Sequence, residues 1–586
     1  MSGIVQVPGY PTSNRVPGAY AKVDATKANT ATAAQASLLI GQMLPDGSAT
    51  PGVAVIDSGI GNAAAAYGVG SQLALAVERY RNIDQQGQLW VLPLADAGFV
   101  LKAASAQGVA GVTLDFEPSA FLNAIADGME VSGADITAGT TVSGVDVATG
   151  VVTLSAATTA AVAAGASITF GASVAASGSI TFTSAATSPS VLPLYVDGNY
   201  VPMSVNTGDT AATVATNLAV TLNAWSSAGG NPLSYTAAAN ASTVTLTARN
   251  AGSLQNSGTL VLSYGGPSAG EGQVGTTNVP GLTAAITGFS GGTTDPDLST
   301  ALANIPAQSF DFIFCPYSAS TQLAAVTAFL SDATGRWNWA SELFGGAFTG
   351  FGGTFAERTT WSTALNDQHL TAEGAYGSPN PDWHWGVDYC AAAAVSLRAN
   401  PAVPVGGLGG GVALNVLPPQ LANRDIFDEQ NTLLYDGMST YTVDSSGTVR
   451  VSRAITTYQK NAAGSPDNSY LDLNVPYQLA AYIRAWRTMI TTNFNQAILV
   501  SDGTRIPPGS SMVTAATIET SIVAQYSQLA TQGGYGLPAG IVSDAATFAQ
   551  DIVVTNAGGG LLTCLLPVKL SSQLIVVAAD VQFTRV

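Results

Sequence analysis

The last residues of the chain alternate between two sets with a period of two. Ile575, Val577, Ala579, Val581 and Phe583 form one set, and the even-numbered residues between them form the other. Such alternation predicts a half-buried strand. Because an unpaired edge strand recruits strands of other molecules, we expect it to pair within its own fold or with a neighbouring chain. Residues 561–586 are accordingly predicted to form a C-terminal strand arm.

Residues 1–36 are predicted to form an N-terminal arm. Prolines and glycines interrupt this stretch, and apolar residues do not recur at helical spacing. One short strand is predicted near Ala19–Val23.

Strands alternate with helices in residues 37–112 and again in residues 286–560, which predicts an α/β core domain with helices covering a sheet. The predicted strands are Ser37–Gly41, Gly52–Ile56, Leu89–Pro93 and Asp311–Cys315. The predicted helices are Ser71–Arg81, Gln322–Asp332, Asp388–Asn400 and Thr514–Gln532. A hairpin is predicted to join Gly437–Val443 to Val449–Ser452.

A further helix begins at Pro476 and carries an apolar stripe. Its apolar residues recur at steps of three and four, which places them on one face. The stripe consists of Leu479, Ile483, Trp486, Ile490 and Phe494. Arg484 and Arg487 lie off this stripe, so we expect them to face solvent or a partner.

Two β-rich modules interrupt the core domain. Residues 113–173 are rich in Thr, Ala, Gly and Val and carry repeated strand-turn-strand signals. Residues 174–285 contain several predicted strands and one predicted helix, Thr210–Ala224. The predicted fold class is therefore a multidomain α/β (α+β) chain with a core domain, two inserted modules and terminal arms.

Composition narrows the function classes. The chain has 586 residues, of which 47% are hydrophobic, and a net charge of −18. No Lys/Arg stripe is present, which argues against nucleic-acid binding. Cys315, Cys390 and Cys564 form no CxxC pair or disulfide framework, so folding in a reducing compartment is expected. Neither a Sec-type signal peptide nor a membrane-inserted segment is predicted.

The segment Gly59–Ala64 has the spacing of a dinucleotide-binding loop and follows the apolar run Gly52–Ile56. An acidic residue should end a strand about twenty residues later. Glu78 and Asp84 instead lie in or after a predicted helix. A plain turn is the favoured interpretation, because Ala/Gly-rich sequence produces such matches by chance.

The two histidines, His369 and His384, cannot support a rich metal site. His384 and Asp388 have the spacing of a helical metal pair, but the surrounding aromatics favour a packed, hydrogen-bonded core histidine. Asp115 and Glu117 share one face of a strand, and a solvated surface pair is favoured. The P-loop, EF-hand, H-E-x-x-H and G-x-S-x-G motifs are absent from the sequence. No catalytic residue, cofactor or metal is therefore predicted, and the chain is not expected to be an enzyme.

Several short segments together resemble one known family. Val16-Pro-Gly-Ala-Tyr20 is similar to the V-P-G-V-Y opening of contractile-tail sheath proteins from Mu-like myophages. The helix Tyr477–Phe494 followed by Asp502-Gly-Thr-Arg505 is similar to that family's Arg-containing helix and "DGTR" turn. Other similar segments are Gly208-Asp-Thr210, Val244–Arg249, Leu565–Val568 and Leu574–Phe583. Residues 113–172 lie outside the resemblance, and Ala19 and Lys22 depart from the family's usual arm sequence.

The resemblance implies a structural subunit of a contractile tail sheath. Such subunits are homo-oligomers, either stacked six-membered rings or a six-start helix, around a tail tube protein. They also meet baseplate and tail terminator proteins, and their contraction drives the tube through the host envelope for genome ejection. The protein would assemble in the bacterial cytoplasm and reside in the virion, with the core domain inward and the inserted modules outward.

The resemblance also implies that both arms add strands to the sheets of neighbouring subunits. The implied inter-subunit residues are Val16, Pro17, Gly18, Tyr20, Val23, Ile575, Val577, Val581 and Phe583. Arg484 and Arg487 would then be candidates for facing the tube.

Three other interpretations remain open beside this one. A close alternative is the sheath of a phage-tail-like bacteriocin or injection system. From another class, a surface adhesin or fibre fits the Thr/Gly/Ala-rich modules but not the missing secretion signal. An enzyme that uses the Gly59–Ala64 loop comes third.

Overall fold

The structure, a computed structural model, describes residues 35–584 except residues 58, 109–110, 266–276 and 306. The described residues form two compact units, one of residues 35–483 with 569–584 and the other of residues 484–568. The strand predicted near Ala19–Val23 and the arm residues Val16 to Val23 lie outside the described residues.

The helices are distributed along the whole described chain. They are α1 (Ile60–Tyr67), α2 (Gln72–Ile83), α3 (Ala211–Ala224), α4 (Leu298–Ala303), α5 (Ser320–Leu330), α6 (Phe355–Thr363), α7 (Asp382–Ala399), α8 (Phe427–Tyr435), α9 (Asn474–Phe494), α10 (Ala515–Thr531) and α11 (Ala545–Asp551). None of them, within the described ranges, has the length and apolar character that a membrane span requires.

The strands form several separate sheets. They are β1 (Ser37–Gln42), β2 (Val55–Ile56), β3 (Leu89–Leu94), β4 (Gly98–Lys102), β5 (Thr113–Asp115), β6 (Val131–Gly133), β7 (Val142–Asp146), β8 (Val151–Leu154), β9 (Ser167–Gly171), β10 (Ser177–Thr183), β11 (Ser190–Val196), β12 (Asn199–Val205), β13 (Tyr235–Asn240), β14 (Thr243–Ala248), β15 (Leu260–Leu262), β16 (Thr283–Ser290), β17 (Phe312–Phe314), β18 (Gly346–Gly350), β19 (Leu370–Glu373), β20 (Thr440–Val443), β21 (Val449–Arg453), β22 (Ile498–Leu499), β23 (Met512–Val513), β24 (Val553–Gly558) and β25 (Leu561–Leu565).

The core of the larger unit is a six-stranded sheet of order β19-β18-β17-β1-β3-β2. Its strands are parallel except β2, which runs antiparallel to β3. All six residues of β1 are buried, as expected for a parallel strand covered on both faces. The predicted α/β class is therefore confirmed.

Helix α7 packs against this sheet at very close range. Gly386 in α7 faces Gly350 in β18, and a Cβ at Gly386 would lie 2.6 Å from the backbone nitrogen of Gly350. Only glycine at this position lets the helix and the strand backbones approach so closely.

The sequence predicted α7 to begin at Asp388, but the helix begins at Asp382. Pro381 precedes its first turn and Asp382 lies within that turn, both common at helix starts. Because residues 383–394 of α7 are all buried, this part of the helix has no solvent-facing polar side and shows no helical periodicity in the sequence.

The first inserted module contains two three-stranded sheets, β4-β9-β6 and β5-β8-β7. The predicted boundary at residue 113 was placed too late, because β4 pairs along its whole length with β9. Phe99 of β4 also packs its ring against Phe121 and Phe170 of the module.

The second inserted module has its own hydrophobic core between two sheets and helix α3. The sheets have the orders β13-β14-β10-β16 and β12-β11-β15. Strand β16 reaches Ser290, so the module extends past the predicted boundary at residue 285. The remaining domain bounds stay predictions.

Helix α9 buries a different face from the one predicted. Tyr477, Ala481, Ala485 and Met489 are at most 6% exposed. The predicted stripe, Leu479, Ile483, Trp486, Ile490 and Phe494, is only partly buried. The predicted stripe was chosen from the large apolar residues of the helix. The buried face instead contains Ala481 and Ala485, whose small side chains let the helix pack closely.

In the smaller unit, Leu561–Leu565 is not part of a terminal arm. It is β25, which pairs antiparallel with β24 in a hairpin. Three consecutive glycines of positive φ, Gly558 to Gly560, make the turn. The C-terminal arm therefore begins later than residue 561.

Candidate assembly sites

The C-terminal segment, residues 571–584, is hydrogen-bonded to α9 at its first residue and is highly exposed toward its other end. The side-chain amide of Gln478 donates to the carbonyl oxygen of Ser571 at 3.1 Å. Beyond this anchor, residues 571–584 form no strand within the described chain. Val577, Val581 and Phe583 expose 64%, 81% and 88% of their surfaces, and Ile575 is partly buried. A row of apolar side chains this exposed is typical of a contact surface.

The hairpin β24–β25 presents a second exposed apolar surface in the smaller unit. Val553, Leu561 and Leu565 expose 51%, 58% and 64% of their surfaces. In the described chain each strand pairs on one edge only, and a two-stranded sheet is marginally stable by itself. This site was not predicted, although the run Gly558–Gly560 between two apolar stretches is a hairpin signal.

An apolar cavity of about 420 Å³ adjoins this hairpin within the smaller unit. It is lined by Trp486, Ile490, Phe494, Ala497, Leu499, Val513, Ile518, Gly560, Leu562, Cys564 and Leu566. Trp486, Ile490 and Phe494, the last residues of the predicted α9 stripe, line this cavity and are therefore only partly buried.

Arg484 and Arg487 lie three residues apart on α9, which places them on neighbouring positions of one side. Arg487 is exposed and Arg484 is partly buried. Their expected role toward a tube stays a prediction.

The Gly59–Ala64 segment forms the start of α1, with Gly59 before its first turn at a φ of 102°. The preceding strand, β2, is an antiparallel edge strand, whereas a dinucleotide loop follows a parallel strand. Glu78 accepts hydrogen bonds from Ser227 Oγ at 2.7 Å and from the Gly229 N–H at 2.9 Å. Asp84 forms an ion pair with Arg398. Both acidic residues therefore have structural partners, and the turn interpretation is supported.

His384 is a buried core histidine, as expected. Its Nδ1 lies 3.0 Å from the side-chain nitrogen of Asn380. Burial and the nearby Arg79 lower the pKa of His384 well below its usual value. Asp388 makes no pair with it, because Arg79 binds the Asp388 carboxylate through two hydrogen bonds, of 2.6 and 3.1 Å.

The other candidate groups also have structural surroundings. His369 Nε2 lies 2.8 Å from Asp332 Oδ1, and its ring stacks on Trp337. Asp115 accepts from Ser105 Oγ, while Glu117 is exposed. Within the described ranges, no group of three or more His, Cys, Asp or Glu side chains could hold a metal ion.

The crevice at the carboxyl end of the parallel sheet is filled by the second module. In doubly wound folds, ligands bind in this crevice near a helix N-terminus. Here Asn250 Oδ1 accepts from the N–H of Gln72 at 2.9 Å, and Asn250 Nδ2 donates to the Met43 carbonyl oxygen at 3.0 Å. An amide of the chain itself therefore occupies the position where an anion would bind at the start of α2. Sequence reasoning missed this contact, which joins residues 178 positions apart.

Comparisons with known proteins indicate the family to which this chain belongs. A model of the phage tail sheath protein central domain matches residues 291–457. The chain is 30% identical over 546 residues to the Mu-like prophage FluMu tail sheath protein of Haemophilus influenzae, covering 93% of this chain and 92% of that protein. Solved sheath tail proteins of Desulfitobacterium hafniense and Listeria innocua are each 11% identical, with TM-scores of 0.39 and 0.41; each comparison covers 92% of this chain and 93% of the other.

The similarity to the Haemophilus protein extends over nearly the whole of both chains. The chain therefore belongs to the phage tail sheath protein family, and it is a subunit of a contractile tail sheath. This confirms the family resemblance drawn from the sequence, and it displaces the adhesin or fibre alternative.

Proposed function

We propose that this chain polymerises around a tail tube, as stacked six-membered rings or a six-start helix, and contracts to drive the tube through the host envelope. The family assignment supports this proposal, and the exposed apolar C-terminal segment is the observation that carries it. The core domain would lie inward and the inserted modules outward. Baseplate and tail terminator proteins would contact the two ends of the polymer. The chain would act without catalytic residues or a cofactor.

Strand addition between subunits would connect the polymer. Residues 571–584 can span roughly 45 Å when extended, which is enough to reach a neighbouring subunit. The unpaired edges of the β24–β25 hairpin supply backbone partners, and the adjoining apolar cavity supplies cover for side chains. Such head-to-tail contacts generate a helical polymer rather than a closed dimer. The N-terminal arm residues Val16, Pro17, Gly18, Tyr20 and Val23 would add strands in the same way.

Contraction would then need no nucleotide hydrolysis. The extended and contracted packings of one subunit would differ in free energy by about a few kcal/mol. Summed over many copies that switch together, this difference gives a large driving force. The extended sheath would persist because of a kinetic barrier.

If the contraction serves genome ejection, the particle that carries this sheath is a complete phage. The same subunit could serve a phage-tail-like bacteriocin or injection system. Electron microscopy of particles from the producing cells separates the two, because only a phage carries DNA-filled heads.

Reversing the charge of both Arg484 and Arg487 to glutamate is expected to reduce binding of the sheath protein to assembled tail tubes. The reason is that the two cations would face an acidic tube surface, an attraction that salt screens. Co-sedimentation with purified tubes at low salt measures the effect, which we expect to be tenfold or more by analogy with steered charged interfaces.

Arg505→Glu is the matched control, because Arg505 is an exposed arginine of the same unit in a loop. It should leave tube binding nearly unchanged. Unchanged binding of the double variant at low salt would rule out a tube-facing role for Arg484 and Arg487, without bearing on polymerisation through the arms.

A further inference from the structure

The second module is held in the crevice of the parallel sheet by a buried carboxylate. Asp96, two residues after β3, is 7% exposed. Asp96 Oδ1 accepts from Gln42 Nε2 at 2.7 Å and from Asn250 Nδ2 at 3.0 Å. Its Oδ2 accepts from the backbone N–H of Ala251 at 2.7 Å. One side chain thus joins the end of β1 to the module.

A second carboxylate, Asp295 in the loop that follows β16, holds the same stretch of chain. Asp295 accepts from both the N–H and the Oγ of Ser253, each at 2.6 Å. Between these anchors, Gly252 has a φ of 127°, and a Cβ there would lie 2.7 Å from Asp295 Oδ1. The segment Asn250–Ser253 is therefore shaped to fit between two acidic side chains.

Neither carboxylate forms an ion pair with a lysine, arginine or histidine of the part of the chain that the structure describes. Their hydrogen-bond partners among the described residues are amides, a hydroxyl and backbone N–H groups. Arg249 directly precedes Asn250, but its Nε donates to the Leu233 carbonyl oxygen. Two other groups near the site are the backbone N–H of Gln72 in α2, which donates to Asn250, and Tyr317, which follows β17 and whose pKa is raised by burial and by the charges of both acids.

These surroundings change the protonation of Asp96. Burial raises its pKa to about 7, the hydrogen bonds from Ala251, Asn250 and Gln42 act against this, and the charge of Asp295 adds to it. An aspartate in water has a pKa of about 3.9. Between these two values the closed arrangement binds the proton more tightly than an opened, hydrated one. By linkage, the closed arrangement is therefore favoured at low pH and weakens as the pH rises to about 7.

We propose that Asp96 and Asp295 form a proton-sensitive clamp that holds the Asn250–Ser253 segment of the second module in the crevice of the sheet. The clamp is firm when Asp96 is protonated and loosens when Asp96 is ionised. Glu78 holds the module at a separate joint through Ser227 and Gly229. Loosening the clamp therefore weakens the hold on the Asn250–Ser253 segment without releasing the module, since Asn250 also contacts Gln72 and Met43.

Hydrogen exchange of the full-length protein, followed by mass spectrometry between pH 5 and pH 8, tests this clamp. Protection factors of the Ala251–Ser253 amides, corrected for intrinsic exchange, should fall by up to about tenfold per pH unit and level off above pH 7. The Gly229 amide, held by Glu78, provides an internal reference in the same sample. Equal pH dependence at both places would overturn the proposal.

Variants distinguish titration of Asp96 from other effects of pH. Asp96→Asn should abolish the pH dependence at Ala251–Ser253, and persistence of the slope would overturn the proposal. Asp127→Asn, at an exposed aspartate of the first module, should keep the wild-type slope. Should Asp96→Asn fail to fold, Asp295→Asn replaces it. Because the charge of Asp295 adds to the raised pKa of Asp96, that variant should move the pH at which protection levels off to a lower value, and an equal or higher value would count against the clamp.

Discussion

Introducing aspartate at both Val577 and Val581 is expected to abolish polymerisation of the purified chain. Both residues belong to the apolar set that is proposed to be buried against a neighbouring subunit. Each valine would contribute about 1.5–3 kcal/mol on burial, and burying an unpaired carboxylate costs more. Since every subunit makes the contact, the loss is repeated along the polymer. Pelleting by ultracentrifugation measures the polymer fraction.

The even-numbered positions of the same segment provide the control. Successive side chains of a strand point to opposite faces, so Val576→Asp together with Ala578→Asp places the same charge on the other face. This control should retain most polymer. Polymer from the Val577/Val581 variant, or equal loss from both variants, would contradict burial of the odd-numbered face.

Replacing Asp388 by alanine is expected to destabilise the larger unit by about 3–5 kcal/mol, the usual cost of breaking a buried ion pair. Asp388 is fully buried in α7, and its carboxylate binds Arg79 of α2. Removing it leaves the Arg79 guanidinium with the Asn415 carbonyl oxygen, at 2.7 Å, as its remaining hydrogen-bond partner among the described residues. A fall in the temperature of the first thermal unfolding transition measures the effect.

Two comparisons separate loss of the pair from general damage. Arg79→Met with Asp388→Leu replaces both charges by apolar groups and should be far less destabilising than Asp388→Ala. Arg453→Met removes a partly exposed pair with Asp472 and should cost at most about 1 kcal/mol. Equal destabilisation by Asp388→Ala and by the double replacement would contradict the ion-pair explanation.

The sequence predicted those elements whose burial leaves a periodic pattern. Strands β1 and β3 are apolar runs, and α2 has one buried and one polar face, so all three were predicted within two residues of their ends. β18 was not recognised as a strand, because Gly-Ala-Phe-Thr-Gly has no strand pattern. Its conformation depends on pairing with β17 and β19 and on the close packing of α7.

The candidate assembly surfaces were only partly predictable from the sequence. The period-two pattern predicted a C-terminal strand, which residues 571–584 do not form within the described chain, and the order of short motifs indicated the family. The contact between Asn250 and the start of α2 was not predictable, because it depends on how an inserted module folds back onto the sheet. The β24–β25 hairpin was not predicted, because the residues of β25 were assigned to the C-terminal arm rather than to a strand that pairs with β24.

Negative-stain electron microscopy of the full-length chain, beside a variant lacking residues 574–586, tests most directly whether this is a sheath subunit joined through its C-terminal segment. Long hollow tubes from the full-length chain and none from the shortened chain are the expected result. Compact monomers from both would contradict polymerisation. Tubes of equal length from both would contradict the role of the segment.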